Sequence, residues 1–166
     1  MRDEAEHKGG SGAGGLGARR SRDAEGVNLP EYLEAILRGD APPPPVAELL
    51  GIRLVSVEDG ECVFEMEARP EHANPMGTVQ GGVICALADA AMGLAYASRL
   101  GEGESFTTLE LKTNYLRQVT DGTLVATGRV VHAGRTIGLT TCDVADGEGR
   151  KIAHATSTCM TLREQR

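Results

Sequence analysis

The feature that most constrains this chain is the run from Val83 to Leu100, apolar on nearly every side yet rich in small residues. Its length and composition predict a helix over roughly residues 82–99, opened by the Gly81-Gly82 pair. A helix with no polar face must be wrapped by other elements, and its Ala and Gly side chains let a sheet approach closely. A membrane span is the other home for such a run. Asp89 near its middle argues against that, because charge at the bilayer centre is costly. The expectation is a helix buried inside a soluble domain.

The flanking sequence supplies the wrapping. Residues 52–57 and 61–67 read as strands, the second alternating cleanly, with Cys62, Phe64 and Met66 on one face and Glu61, Glu65 and Glu67 on the other. Asp59-Gly60 between them is a hairpin signal. After the helix, Thr- and Val-rich runs at about 106–116, 122–132, 135–145 and 151–161 read as four more strands. They are separated by Asp121-Gly122, His132-Ala133-Gly134 and the 146–149 turn, short connections that favour antiparallel neighbours. Two strands, one central helix and four strands predict an α+β domain, an antiparallel sheet curled around one helix, over residues 51–163. No tandem repeat is present.

Ahead of that domain, residues 28–50 read as an N-terminal helical and Pro-rich segment. Asn28 can cap a short amphipathic helix with Pro30 in its first turn and Leu33, Ile36 and Leu37 on one face. Gly39 ends it, Pro42–Pro45 impose an extended stretch, and Val46, Leu49 and Leu50 suggest another helical turn. Residues 1–27 are Gly/Ser-rich and charged and cannot offset their own ordering entropy, so a disordered tail is expected there. They contain no hydrophobic segment of the signal-peptide kind. The 166 residues fit one domain.

Composition narrows the function classes. The net charge of −7 argues against a general nucleic-acid binder, although Lys112, Arg117, Arg129 or Arg135 could hold one phosphate-bearing group. Cys62, Cys85, Cys142 and Cys159 form no Cys-x-x-Cys pair and lie in apolar or strand-like stretches. Reduced thiols in a cytoplasmic protein are expected. His72, His132 and His154 lack zinc-ligand spacing, so no metal is expected. There is no G-x-S-x-G elbow.

Chemistry concentrates between His72 and Asp89. A helix N-terminus presents unpaired N–H groups and a partial positive charge. Gly81 and Gly82 would let a substrate carbonyl reach them, as an oxyanion site requires. Asp89 lies about two turns further on, in apolar surroundings where a buried carboxylate needs compensation. Each piece has a plainer reading: a tight turn for Gly81-Gly82, a satisfied buried acid for Asp89, a turn residue for Asn74 before Pro75. The combination is more specific than its members.

The stretches PPPPVAELLGIRL, HANPMGTVQGGVICALADAAMGLA, TTLELKTNYLR, GRVVHAGRT and AHATSTC resemble the phenylacetic-acid-degradation (PaaI-like) type of hotdog-fold thioesterase. The resemblance implies a hotdog fold and hydrolysis of an acyl-CoA, aliphatic or aryl, with no metal and no cofactor, coenzyme A being part of the substrate. It implies that the Gly81 N–H polarises the thioester carbonyl. Asp89, supplied by the other subunit, acts as base or nucleophile. Asn74 positions substrate or water, and Thr108 lies near that water. It also implies a homodimer with sheets paired edge to edge, dimers often pairing again into tetramers, and sites at the dimer interface. Gly82, His132, Gly134, Arg135 and Arg117 fall on substrate- or CoA-binding positions, while solvated-hairpin and structural roles stay open for Arg135 and His132. The family usually has His where this chain has Gln80, which can donate a hydrogen bond but cannot carry a proton to the leaving thiolate. That departure leaves a second reading, a non-catalytic acyl-CoA binder or sensor. A sensor with a DNA-binding segment is disfavoured, since residues 1–27 show no helix-turn-helix pattern. A hotdog hydratase is disfavoured by the missing His. Met66, Met76, Met92 and Leu94 are candidate pocket linings, with core packing as the alternative.

Overall fold

The computed structural model describes residues 29–163. The expected tail at 1–27 and the Asn28 cap lie outside the described residues. Helix α1 (Leu29–Arg38) and helix α2 (Pro45–Leu50) come first. Strands β1 (Ile52–Glu58) and β2 (Glu61–Glu67) follow, then a 3₁₀ turn (Pro70–His72), the long helix α3 (Gly81–Ala97), and strands β3 (Glu104–Tyr115), β4 (Thr123–Ala133), β5 (Ile137–Asp146) and β6 (Lys151–Arg163). All six strands form one antiparallel sheet in the order β1-β2-β4-β5-β6-β3, curled around α3. This is the hotdog fold.

The alternation in β2 does what its pattern promises: Cys62, Phe64 and Met66 are all buried. On α3, Leu87, Ala88, Ala91, Met92, Ala95 and Ala97 lose essentially all exposure. The backbones approach closest at Gly128 of β4, where even a methyl group would collide with the Ala91 carbonyl and come within 2.7 Å of the Met92 amide nitrogen. Strand and helix backbones touch there because neither side has a side chain in the way.

One expectation about neighbours is corrected. The Asp121-Gly122 turn suggested that β3 and β4 pair, but β3 lies at the far edge beside β6, with β5 and β6 between it and β4. The connection over residues 116–122 reaches about 23 Å when extended, enough to cross the roughly 14 Å between strands three positions apart. The outer edge of β3 has no neighbour within the described residues, and this 12-residue strand carries a bulge between Thr108 and Glu110.

Two smaller differences concern ends. Helix α3 starts at Gly81 and closes at Ala97. The fifth strand starts at Ile137, leaving Arg135 in the hairpin.

Candidate active site

The site begins in the irregular segment between β2 and α3. Asn74 shapes it. Its Oδ1 accepts from the Met76 and Thr78 amides at 2.9 and 3.2 Å, and its Nδ2 donates to Thr78 Oγ1 at 2.9 Å. The segment is tacked down by Gln80 N donating to the His72 carbonyl and Val79 N donating to the Val119 carbonyl, both at 2.8 Å. His72, buried, folds back to accept from the Arg69 amide at 3.2 Å. The chain therefore enters α3 in a fixed direction.

At that entry Gln80 is the N-cap residue, and its side chain makes no capping bond. The first N–H groups of a helix have no acceptor within it, so those of Gly81 and Gly82 point outward with the positive end of the dipole behind them. Tyr115, at the end of β3, donates its hydroxyl to the Gly81 carbonyl at 2.8 Å. Its ring packs tightly against this residue: a methyl on Gly81 would sit 3.0 Å from it. Tyr115 was not expected from the sequence. Its signal was only a partly exposed aromatic at a strand end, in a chain with few aromatics. Arg117 and Gly81 border a common cavity of about 1010 Å³ at this end.

Asp89 lies elsewhere. It lines a second cavity, a groove of about 1000 Å³ bounded by residues 36–54 of the N-terminal segment, by α3 and by Phe106 and Thr108 of β3. Thr108 Oγ1 donates to Asp89 Oδ1 at 3.4 Å. The expected burial of Asp89 is corrected: in the single chain it is exposed at the groove floor. Thr108 belongs to the edge strand, so nothing among the described residues covers the carboxylate from beyond β3. The groove walls still strip enough water to push its carboxyl above the usual range, with the Thr108 hydrogen bond opposing.

The structure thus brings Asp89 together with Thr108, and Gly81 with Gly82, Gln80, Tyr115 and Arg117, but does not bring the two groups together. Asp89 lies eight residue steps beyond Gly81, about 12 Å along α3. His132, Gly134 and Arg135 sit at the β4–β5 hairpin. Sheet register places that hairpin at the Thr108 end: Ala133 pairs with Gly138, Gly138 with Cys159 and Cys159 with Thr108. Gly134 is dictated by the tightness of that turn, since a methyl there would meet the Ile137 carbonyl at 2.9 Å. Arg117 and Arg135 are therefore at opposite ends of the sheet.

The remaining candidates separate cleanly. Met66 and Met92 are buried core, Met76 is 82% exposed, and of the four only Leu94 lines the Asp89 groove. His154 belongs to a surface cluster, its Nδ1 2.7 Å from Asp143 Oδ1, which also meets Lys151. All four cysteines are free thiols, and burial pushes Cys62 and Cys142 up to about 12, where they stay protonated. No described helix is long and apolar enough to cross a membrane.

Comparison with known proteins follows this geometry. The family model described as the thioesterase superfamily matches residues 76–153. A 1,4-dihydroxy-2-naphthoyl-CoA hydrolase from Listeria monocytogenes is 28% identical over 119 residues, 72% of this chain and 96% of that protein. Acyl-coenzyme A thioesterase 13 from Homo sapiens is 31% identical over 111 residues, 64% of this chain and 77% of that protein. Among solved structures, a phenylacetic acid degradation-related protein from Ralstonia eutropha is 33% identical with a TM-score of 0.71, covering 78% of this chain and 98% of that one.

Proposed function

From the premise that the chain belongs to the thioesterase superfamily, as a hotdog thioester hydrolase of the PaaI-like type, we propose that it cleaves acyl-CoA at a site completed by two protomers. The observation that carries this is the split just described. Asp89 and Thr108 lie at one end of β3, the Gly81 amide and Tyr115 at the other, and neither half is a catalytic site alone.

An antiparallel pairing of two β3 edges would join the halves. Thr108 and Tyr115 are the two landmarks on β3, with Leu111 and Lys112 midway between them. Cys85 is midway between Gly81 and Asp89 on α3, and Thr113 Oγ1 meets its sulfur at 3.6 Å. A two-fold axis near these residues would set Asp89 and Thr108 opposite Gly81 of the partner subunit. The same operation would carry Arg117 of the partner subunit to the Arg135 end. One symmetric, self-complementary edge thus unites the catalytic pair and the two arginines suited to coenzyme A phosphates. It would also cover the open edge of a long strand, which is otherwise a liability.

In that assembly the thioester carbonyl points at the N–H groups of Gly81 and Gly82, which hold the oxyanion as it forms. The Asp89 carboxylate takes a proton from water, the water oxygen bonds to the carbonyl carbon, and the C–S bond breaks to release the thiolate. Direct attack by the carboxylate is the other route open to the same geometry. Thr108 fixes the carboxylate. Gln80, exposed and uncommitted to capping, can donate to the carbonyl but not deliver a proton. Asn74 acts by holding the loop that aims the helix. No metal or cofactor takes part.

The test is Asp89→Asn, with turnover followed by thiol release. Turnover should fall at least about a hundredfold, the scale for losing a general base, and near wild-type turnover would reject the assignment. Reassembling Asp89→Asn subunits with a variant blocked at Gly81 should restore activity, because mixed dimers contain one intact site. Failure to restore any would reject the shared site while leaving Asp89 in place.

A further inference from the structure

The Asp89 groove has a chemical character that the hydrolysis step does not explain. Its floor is a stripe on α3, Ala86, Ala90, Gly93 and Leu94, at the three-and-four spacing that puts residues on one helix face. Its outer wall comes from α1, the Pro42–Pro44 strap and α2, closed on itself by Tyr32 donating to the Pro42 carbonyl at 3.0 Å. Leu37 and Val46 on that wall remain 40% and 59% exposed, apolar side chains facing a groove that no described residue fills. Both phenylalanines of the whole chain, Phe64 and Phe106, line it.

Polar side chains are few, and their partners are known. Asp40 is held by Arg38 at 2.9 Å, and Arg53 is paired with Glu65. Asp40 and Arg53 are thus exposed side chains already engaged in ion pairs. The groove's other polar side chains from this chain are Asp89 and Thr108, and both sit at the reacting end. Beyond them, Phe106 lies across Gly93 so closely that a methyl there would be 3.2 Å from its ring. The ring is braced edge-on by Tyr96, with centroids 5.8 Å apart and planes at 78°, and buried Tyr96 is anchored by a 2.7 Å hydrogen bond to Thr161. Phe106 is therefore a fixed stop.

We propose that this groove seats the acyl group of the substrate, that the group is a hydrocarbon without hydroxyl substituents, and that Phe106 against Gly93 sets its length. This rests on the thioesterase reading and adds the substrate class. A ring hydroxyl pushed into the groove would lose its water and find no side-chain partner, a penalty that disfavours such acids. The specificity differs from that named for the Listeria relative, whose substrate carries two hydroxyls.

The experiment compares kcat/KM for butyryl-, octanoyl- and dodecanoyl-CoA and for 2-naphthoyl-CoA against its 1,4-dihydroxy counterpart. The unsubstituted naphthoyl ester should be favoured at least about tenfold; equal or reversed preference overturns the proposal. Phe106→Ala should raise the dodecanoyl-to-octanoyl ratio at least about tenfold, and an unchanged ratio overturns the role of Phe106. Should that variant not fold, Leu37→Asp on the exposed wall should cut octanoyl-CoA at least about tenfold and butyryl-CoA less than about threefold; equal losses overturn the groove as the acyl site. Calorimetry on Asp89→Asn reads binding without turnover. Octanoyl-CoA binding tighter than CoA alone keeps the groove even if hydrolysis is absent, whereas equal affinity removes it even if hydrolysis is found.

Discussion

Helix α3 has two faces made from the same small residues, and they do opposite things. On the face toward β4 and β5, Ala88, Ala91 and Ala95 are fully buried, and Gly128 and Gly138 meet the helix backbone and the Tyr96 ring directly. On the face toward α1 and β3, Ala86, Ala90 and Gly93 leave a groove. A small side chain thus means close contact where a strand lies over it and open space where only a strap spans it. The pattern along the helix is the same on both sides, and the difference lies in what tertiary structure places opposite. The sealed face should be sensitive in stability and the open face in catalysis.

The largest expected effect tests the sealed face. Gly128→Ala puts a methyl into the Ala91 carbonyl, a backbone group that cannot swing aside. The cost should be about 3 kcal/mol or more, a drop in Tm of roughly 6–12 °C for a chain of this size. Calorimetric melting checks it, and a shift under about 2 °C would show that the strand and helix are not in backbone contact. Next comes the helix entry. Gly81→Ala meets only the Tyr115 ring, which stands 51% exposed and can move. Stability should change by less than about 1 kcal/mol, while kcat/KM should fall roughly tenfold or more as the carbonyl is held away from the amide. Equal damage to both measurements would break the distinction between the faces.

The same contrast marks what could be read from the sequence. Alternation at Cys62, Phe64 and Met66 identified β2 to the residue, because burial on one side writes a period of two directly into the chain. The all-round apolar character of residues 82–99 identified α3 for the equivalent reason. What escaped depended on partners distant in sequence. The edge position of β3 escaped because Asp121-Gly122 reports only a local turn, not which strand lies across from it. The exposure of Asp89 escaped because an apolar surround in sequence says nothing about whether a neighbour covers it. Tyr115 escaped because its contact with Gly81 joins residues 34 apart. Asp89 and Gly81 were legible as a pair from spacing, and the family resemblance implied that they come from different subunits; that they border separate cavities within one chain needed coordinates.

The smallest effect, and the finest test of the open face, is on protons. Asp89 is raised above the ordinary carboxylate value of about 3.9 by desolvation, and the Thr108 hydrogen bond pulls it part of the way back. In the proposed mechanism the Asp89 carboxylate must be ionised, so the acid limb of kcat/KM should fall at a pH above that ordinary value. Thr108→Val removes the donor and should move the limb further up, lowering activity several-fold on the acid side and little at neutral pH. Stability has the opposite sign. A carboxyl raised on folding makes the native state bind protons more readily, so its contribution is fully present below about pH 3.9 and lost as pH rises through the folded value. Asp89→Asn should therefore melt slightly higher than wild type at neutral pH, with the gap closing on acidification. A gap of the other sign would mean that the carboxylate is stabilised by a favourable partner in the groove, and the open face would then be a paired site like the rest of the core.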